Sequence, residues 1–405
     1  MLIMNIVSKK LENSFLPFFL FLAAVGIFAF LFFIAPRGEI ASTSTDESAQ
    51  KQTDAKERAE SIRDLAFEWL IKNIRDNGLF AYSINPETGD YSTDNNELRQ
   101  LMSSRILAER SADSDEIMKL HKKNLEFIVM NWYQEENGIG YILYEDKSKL
   151  GANAMFLRAL SASPHFNQYS TIAAATVRGI VALQNSDGSF RPWLKEPDYE
   201  FNPDYLLTFY SGEAILALVE YFERSENKLY LDAAFKSAEF YIKKYVQNIE
   251  ENYYPAYVPW HTISYAKLYK ITNDLKFVKA IFILNDKLLE IQDATNEVGR
   301  FFNPATPEYG APHSSSDGIY TESLAYAFEI ADRANDTDRK ERYKKSVGLS
   351  LENIQKLQYR LPLPNSPIPF ESYRGGIRTN IDNPWSRIDN AQHTIDGMDY
   401  LLKIL

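Results

Sequence analysis

The chain has 405 residues, 45% hydrophobic and 24% charged, with 25 Tyr, 25 Phe and 5 Trp. Those fractions exclude a disordered or collagen-like polypeptide, and the length holds one large domain or two ordinary ones. The absence of cysteine excludes a disulfide framework, thiolate metal sites and a thiol nucleophile, while a net charge of −11 without a dense basic stretch argues against nucleic acid as a partner.

Phe15 to Ala35 runs without a charged side chain. At about 1.5 Å per residue such a run covers roughly the 30 Å hydrocarbon thickness of a bilayer. Lys9 and Lys10 precede it, and Arg37 follows beside Glu39. This bias predicts a cytoplasmic N-terminus (1–14), a single-pass transmembrane anchor (15–35) and everything beyond on the extracytoplasmic, periplasmic side. A cleaved signal peptide is the rival, but the run is longer than an h-region and Pro36-Arg37-Gly38 is a poor cleavage site. Residues 36–55 are polar and aperiodic, which predicts a flexible stalk.

From residue 56 to 405 apolar residues recur at helical spacing. Helices are expected at 56–75, 95–110, 114–132, 150–162, 168–184, 208–224, 228–246, 260–272, 275–292, 317–334, 338–357 and 387–404, with only 140–144 looking extended. The connections alternate strictly. Those after even-numbered helices are short, and those after odd-numbered ones are long and rich in Gly, Pro, Asn, Trp and Tyr. Long loops without secondary structure are uncommon unless functional, and their alternation over six repeats predicts stacked hairpins with every long loop on one face. The expected fold is all-α, an (α/α)6 toroid whose inner ring is formed by the even-numbered helices.

Polar groups meant for chemistry should then lie in long loops and at the starts of even-numbered helices. Gln184-Asn185-Ser186-Asp187-Gly188-Ser189-Phe190 reads as a helix stop, with Trp193 packing back or facing substrate. Tyr210 and Glu213 open the sixth helix; Glu213 either complements the helix dipole or projects into the ring as an acid/base. Trp260 and His261 open the eighth, and an aromatic plate beside an imidazole suits a sugar site. His313, Tyr320 and Glu322 enter the tenth, where their density exceeds what capping needs. Near the C-terminus, Arg374, Arg378 and Arg387 offer forked donors for a carboxylate or sulfate, and Asp389 and His393 lie four apart on one helical face. An Arg–Asp network that locks the last hairpin to the first accounts for the same residues. The expected catalytic set is Glu213, His261, His313, Glu322, Asp389 and His393. The expected substrate-binding set is Trp193, Tyr210, Trp260, Tyr320, Arg374, Arg378 and Arg387. Three rim imidazoles could hold Zn²⁺, but no close-spaced ligand pair supports it, so neither metal nor cofactor is expected.

The 184–190 segment resembles the Gln-x-x-Asp-Gly-Ser-Phe/Trp repeat of squalene-cyclase-like and prenyltransferase toroids. Tyr210-Ser211-Gly212-Glu213-Ala214 resembles a GEA-type stretch of six-hairpin glycan-acting enzymes. Together with the Trp260-His261 start and Trp385-Ser386-Arg387-Ile388-Asp389-Asn390, they make residues 56–405 similar to the six-hairpin α/α-toroid superfamily. Glucuronyl epimerase C-terminal domains look nearest, and unsaturated glucuronyl hydrolases share the toroid. The resemblance implies an enzyme acting on a carbohydrate, with an acidic sugar polymer as partner and epimerase, hydrolase or lyase chemistry. The alternatives are a non-enzymatic scaffold toroid in envelope biogenesis, its cavity plugged by aromatics, and a terpenoid-type cyclase, disfavoured because no DxDD or DDxxD stretch exists.

Overall fold

The computed structural model describes residues 41–405 apart from residue 113, with side chains from residue 53 onward. The predicted anchor at 15–35 lies outside the described residues; among them, no helix is long and apolar enough to cross a membrane. Backbone contacts divide the chain into Met1–Thr53 and Asp54–Leu405, and the second unit is described from here on.

Twelve helices carry this unit: α1 (Ala41–Lys72, of which Asp54 onward belongs to the unit), α2 (Glu97–Arg110), α3 (Asp115–Asn131), α4 (Leu150–Ala162), α5 (Ser170–Ala182), α6 (Pro203–Ser225), α7 (Lys228–Tyr241), α8 (Tyr257–Thr272), α9 (Leu275–Leu289), α10 (Ser314–Arg333), α11 (Thr337–Leu357) and α12 (Ile388–Ile404). Two four-residue helices, Ile249–Asn252 and Phe370–Tyr373, sit in long connections. The stretch expected as a stalk is helical from Ala41, because no Pro or Gly follows Gly38 until the end of α1 and its Ala, Glu, Gln and Lys residues favour a helix.

The even-numbered helices form a closed ring, each touching the next in the order α2, α4, α6, α8, α10, α12 and back to α2. Each odd-numbered helix from α3 to α11 packs outside the inner helix that precedes it. Burial follows position: α4 buries every residue from Leu150 to Ser161, whereas outer α3 buries only His121, Asn124, Leu125 and Ile128. The short turns after α6, α8 and α10 each use one left-handed residue, Glu226, Asn273 and Asn335. Such a cap returns an N–H to the last helical turn and reverses the chain in minimal length. Since those turns share one end, the N-termini of all six inner helices share the other.

At that N-terminal end the long connections add short strands the sequence did not announce. Strands β1 (Ser83–Asn85) and β2 (Asp90–Tyr91) follow α1, and β7 (Arg378–Asn380) and β8 (Asn383–Arg387) precede α12. They form one antiparallel sheet in the order β2-β1-β8-β7, with Ser83 opposite Arg387, so the first and last repeats are sewn together at the rim. The expected strand at 140–144 is β4 (Ile139–Ile142), paired with β3 (Tyr133–Glu136); β5 (Ser148–Lys149) pairs with β6 (Trp193–Lys195).

Neighbouring inner helices come into backbone contact. A Cβ built on Gly318 of α10 would stand 2.8 Å from the backbone C of His393 and N of Thr394 in α12. Nothing stands within 4 Å of a Cβ at Gly348, inside α11. Gly318→Ala should therefore cost about 1–3 kcal/mol through overpacking, while Gly348→Ala should add roughly 0.5–1 kcal/mol by helix propensity. Denaturant unfolding of the two variants measures both signs.

Candidate active site

A cavity of about 340 Å³ lies at the N-terminal end of the inner ring, and five inner helices together with the residue ahead of α4 form its wall. Arg99 and Asn96 come from the start of α2, Lys149 from the residue ahead of α4, Tyr210 and Glu213 from α6, Trp260 from α8, Ser315 and Tyr320 from α10, and Arg387, Asp389 and His393 from the start of α12. Tyr205, Tyr254 and Tyr309 complete it, with ring centroids of Tyr205–Tyr254 and Tyr254–Tyr309 6.1 and 6.0 Å apart. The α6–α8 side is thus aromatic, and the α12–α2–α4 side is charged.

The charged wall centres on Asp389, which is 4% exposed. Arg99 Nε reaches Asp389 Oδ2 at 2.8 Å, and Arg387 donates from Nε to Oδ1 at 2.5 Å and from Nη2 to Oδ2 at 2.7 Å. Burial alone would raise the Asp389 pKa, but the two guanidinium groups overcome it and hold the carboxyl well below the usual carboxylate range. Beside it, Lys149 Nζ lies 2.8 Å from the buried Glu97. Three cations, Arg99, Lys149 and Arg387, thus stand against the carboxylates of Asp389 and Glu97 on this wall, inside a chain of net charge −11.

Lys149 and Arg387 occupy the N-cap positions of α4 and α12, and neither helix has a side-chain cap there. A cation opposes the positive end of the helix dipole, so this placement works against helix stability while adding positive potential to the cavity.

Glu213 contrasts with Asp389. Its carboxyl is 2% exposed and Oε2 has no hydrogen-bond partner. Burial pushes its pKa up to about 8, against a smaller lowering by Arg158. Near neutral pH this side chain is a carboxylic acid able to donate a proton. Room for it comes from α4, because a Cβ on Gly151 would stand 2.5 Å from Glu213 Oε2 and from Tyr210 Cδ1. His393 is also buried, its Nδ1 is unpartnered and its ring meets Trp260 edge-on at 5.9 Å. Burial lowers its pKa to about 4, with Asp389 opposing and Arg99 among the lowering charges. The imidazole is neutral and can accept a proton. Burial holds the Tyr210 and Tyr320 phenols well above their ordinary range, so they serve as neutral donors.

No family profile and no curated protein matches the sequence. Solved structures do match by shape. D-mannose isomerase superposes with a TM-score of 0.63 at 13% identity, over 86% of this chain and 97% of its own. Cellobiose 2-epimerase from Spirochaeta thermophila gives 0.64 at 13% identity, over 87% and 98%. An unsaturated glucuronyl hydrolase specific for heparin gives 0.60 at 10% identity, over 86% and 98%. The chain has the six-hairpin α/α-toroid fold.

Within this toroid the structure brings together seven of the residues singled out from sequence: Glu213, Asp389, His393, Tyr210, Trp260, Tyr320 and Arg387. His261 is not among them. α8 begins at Tyr257 rather than 260, and one residue of helix turns about 100°, so Trp260 faces the cavity while His261 faces α6 and α7. There it contacts Ser211 Oγ at 3.1 Å among Tyr241, Tyr245 and Tyr265. The three imidazoles therefore do not converge; among the described residues no group of three or more His, Asp or Glu could hold a metal ion. His313 is the N-cap of α10 and touches Arg387 from behind the lining. Glu322 is buried among charges from later turns of the inner helices, where burial and Asp396 push its pKa up to about 8 against Arg105 and Arg158. Trp193 pairs across β5–β6 with Lys149 and supports it from outside the cavity. Arg374 lies on the outer surface, 3.7 Å from Glu68, and Arg378 stacks over Tyr359 at 4.6 Å. Arg99, Lys149 and Asn96 went unnoticed in the sequence. Their signal was position at the start of an inner helix after a long connection, the same rule that found Glu213.

Glu213 gives a stability test. Its folded pKa stands above its unfolded one, so its contribution is whole below about pH 4.5 and is lost as pH rises through about 8. In urea unfolding at pH 5 and pH 8, Glu213→Gln should lose less stability across that interval than the unsubstituted chain, by a few kcal/mol at most. Equal losses would mean that Glu213 is ionised in the folded state.

Proposed function

We propose that the toroid is a carbohydrate-acting enzyme that moves a proton at a C–H bond of a carboxylate-bearing sugar, as an epimerase or lyase does. The observation that carries this is the pairing of an unpartnered, protonated Glu213 with a neutral, unpartnered His393, in a cavity whose one ionised lining carboxylate is occupied on both oxygens by arginine. The names of the structural neighbours, an isomerase and a 2-epimerase of sugars and a glucuronyl hydrolase, support a carbohydrate partner.

The chemistry follows from placement. Arg99 and Arg387 hold the substrate carboxylate, which acidifies the adjacent C–H and receives charge as the proton leaves. His393 takes that proton. Glu213 stands three places away in a ring of six, on the opposite side, and returns its own proton to the other face of the carbon, inverting it. In a lyase Glu213 would instead protonate the departing glycosidic oxygen as the C–O bond breaks. Aromatic rings on the α6–α8 side cover the apolar face of the pyranose. A hydrolase is the second reading, favoured by the divergence of Glu213 and Asp389, one raised and one lowered. Asp389, with both oxygens accepting from guanidinium groups, is a poor base for it. An open polar cavity also speaks against a scaffold plugged by its own aromatics.

Incubation in D2O with oligosaccharides of glucuronate, mannuronate or galacturonate tests the proposal by NMR and mass spectrometry. Deuterium at a ring carbon, or an unsaturated product, is expected; new reducing ends without either would select the hydrolase. Glu213→Gln and His393→Asn should each lower turnover by about 10²-fold or more with little change in unfolding.

We also propose that residues 15–35 anchor the enzyme in a membrane with the toroid on the extracytoplasmic side, supported by the uncharged run and the lysines ahead of it. Protease added to intact spheroplasts should then digest the toroid while cytoplasmic markers survive, and its protection would overturn the orientation.

A further inference from the structure

His313 was singled out as an acid/base, and its surroundings assign it different work. Its Nε2 lies 2.7 Å from Arg387 Nη2. Its Nδ1 lies 2.8 Å from Ser315 Oγ and 3.1 Å from the Ser315 backbone N–H. A guanidinium has donors only, so a bond at Nε2 requires the lone pair there. Burial keeps the ring neutral, lowering its pKa to about 4, with Arg387 adding to the effect and Asp389 opposing. A neutral ring with its lone pair on Nε2 carries its one proton on Nδ1. The Ser315 N–H, placed to donate to Nδ1 as the N-cap bond of α10, then faces a second donor, and the charge-assisted bond at Nε2 outweighs both that contact and the lost cap. Nδ1–H donates to Ser315 Oγ, which leaves the serine proton free to point elsewhere, and Ser315 lines the cavity.

We propose that Arg387, His313 and Ser315 form a one-way hydrogen-bond relay that fixes the Ser315 hydroxyl as a donor into the cavity, where it positions an oxygen of the substrate carboxylate. The relay rests on the acidic-sugar reading for its ligand, though not for its geometry. It runs opposite to the activation of a nucleophilic serine: the imidazole gives its proton to the hydroxyl and, with Nε2 engaged by Arg387, cannot withdraw one. Arg387 has the donors for both duties, since its Nη2 carries two hydrogens, one for Asp389 and one for His313. His313 and Ser315 are therefore positioning residues.

The ring tautomer can be read without any substrate. Histidine-labelled full-length protein, observed by long-range ¹H–¹⁵N correlation at neutral pH and assigned with His313→Asn, should show His313 protonated on Nδ1 and bare on Nε2. A ring protonated on Nε2 would overturn the relay. In Arg387→Met the ring should revert to Nε2–H, with Nδ1 accepting from the Ser315 N–H; an unchanged tautomer there would remove arginine from the account. Calorimetric titration with sodium D-glucuronate supplies the functional arm. Ser315→Ala should weaken binding about tenfold, and Ser315→Thr should restore it. Ser315→Ala binding as tightly as the unsubstituted chain would overturn the donor role. Absence of glucuronate binding by the unsubstituted chain would count against the acidic-sugar reading and leave the tautomer result to judge the relay.

Discussion

Two guanidinium groups from opposite ends of the toroid sequence share one buried carboxylate. Arg99 belongs to the first inner helix, and Arg387 and Asp389 belong to the last. A carboxylate buried this deeply is unfavourable unless its lone pairs are satisfied, and removal of either arginine would leave an under-compensated charge. The same seam continues away from the cavity with Gln392 against Ser103 at 2.8 Å, Asp396 against Arg105, and Asp399 against Arg110 at 2.5 Å. Each of these partners would be left half-satisfied by an open ring. Closure is therefore specified by polar groups that tolerate no substitute partner, in addition to apolar burial that would accept many arrangements. The clamp that closes the ring is also the charged wall of the cavity. A structural role for the C-terminal Arg–Asp cluster and the chemical role proposed for it would thus follow from one geometry and do not compete.

Several local rules of stability are broken around that wall, and they are broken toward the same cavity. Cations stand at the N-caps of α4 and α12, where the macrodipole disfavours them by roughly 0.3–1 kcal/mol each. Glu97 and Asp389 offset this by pairing with Lys149 and Arg387. Glu213 is buried with no partner on Oε2, and α4 carries glycine at position 151 to leave it space. Six other N-caps are conventional, Asn96, Ser114, Asn202, Asn227, Asp274 and Asp336 each accepting a backbone N–H, while Tyr169 of α5 and Ala256 of α8 supply no side-chain cap.

The helices and their alternation were legible in the helical spacing of apolar residues and in the strict alternation of short and long connections, not in composition, since inner α2 is polar and outer α5 apolar. α4 and α9 matched expectation at their N-termini, and α12 began one residue late. The rim sheet was not legible. Its strands run two to five residues, and segments such as Ser83–Asn85 and Arg378–Asn380 are mostly polar and carry no alternation to read. Site residues divided by their spacing along a helix. Asp389 and His393, four apart, share a face wherever α12 begins. His261 directly follows Trp260, and adjacent helical residues point about 100° apart, so the two do not both face the cavity. Asp317, expected to begin α10, stands three residues past its start at Ser314, still in the first turn, where it accepts from the Phe301 N–H and from Asn353 at 2.9 Å. Arg99 was hidden in an Asn-Asn-Glu-Leu-Arg-Gln stretch that looks like any solvated helix start, and only its partner 290 positions later, which tertiary closure supplies, gives it meaning.

The orientation of the inner helices bears on how an acidic chain would hold the acidic ligand proposed above. All six point their N-termini at the cavity, so their partial positive charges add where their C-terminal counterparts are a helix length away. Arg99, Lys149 and Arg387 stand in the same mouth. The surplus negative charge of the chain is not on outer helices such as α3, where three acids meet three lysines, or α11, where basic residues outnumber acids; it lies chiefly on the connections. At physiological ionic strength charges more than about 8 Å apart across solvent are largely screened, so only acids farther than that from the mouth drop out of the potential inside. An anion that reaches the mouth experiences the local field, set by helix polarity and three cations, and not the sum over the sequence. Net charge is a property of composition, while the field at the mouth of a closed ring is a property of topology, so the first does not fix the second.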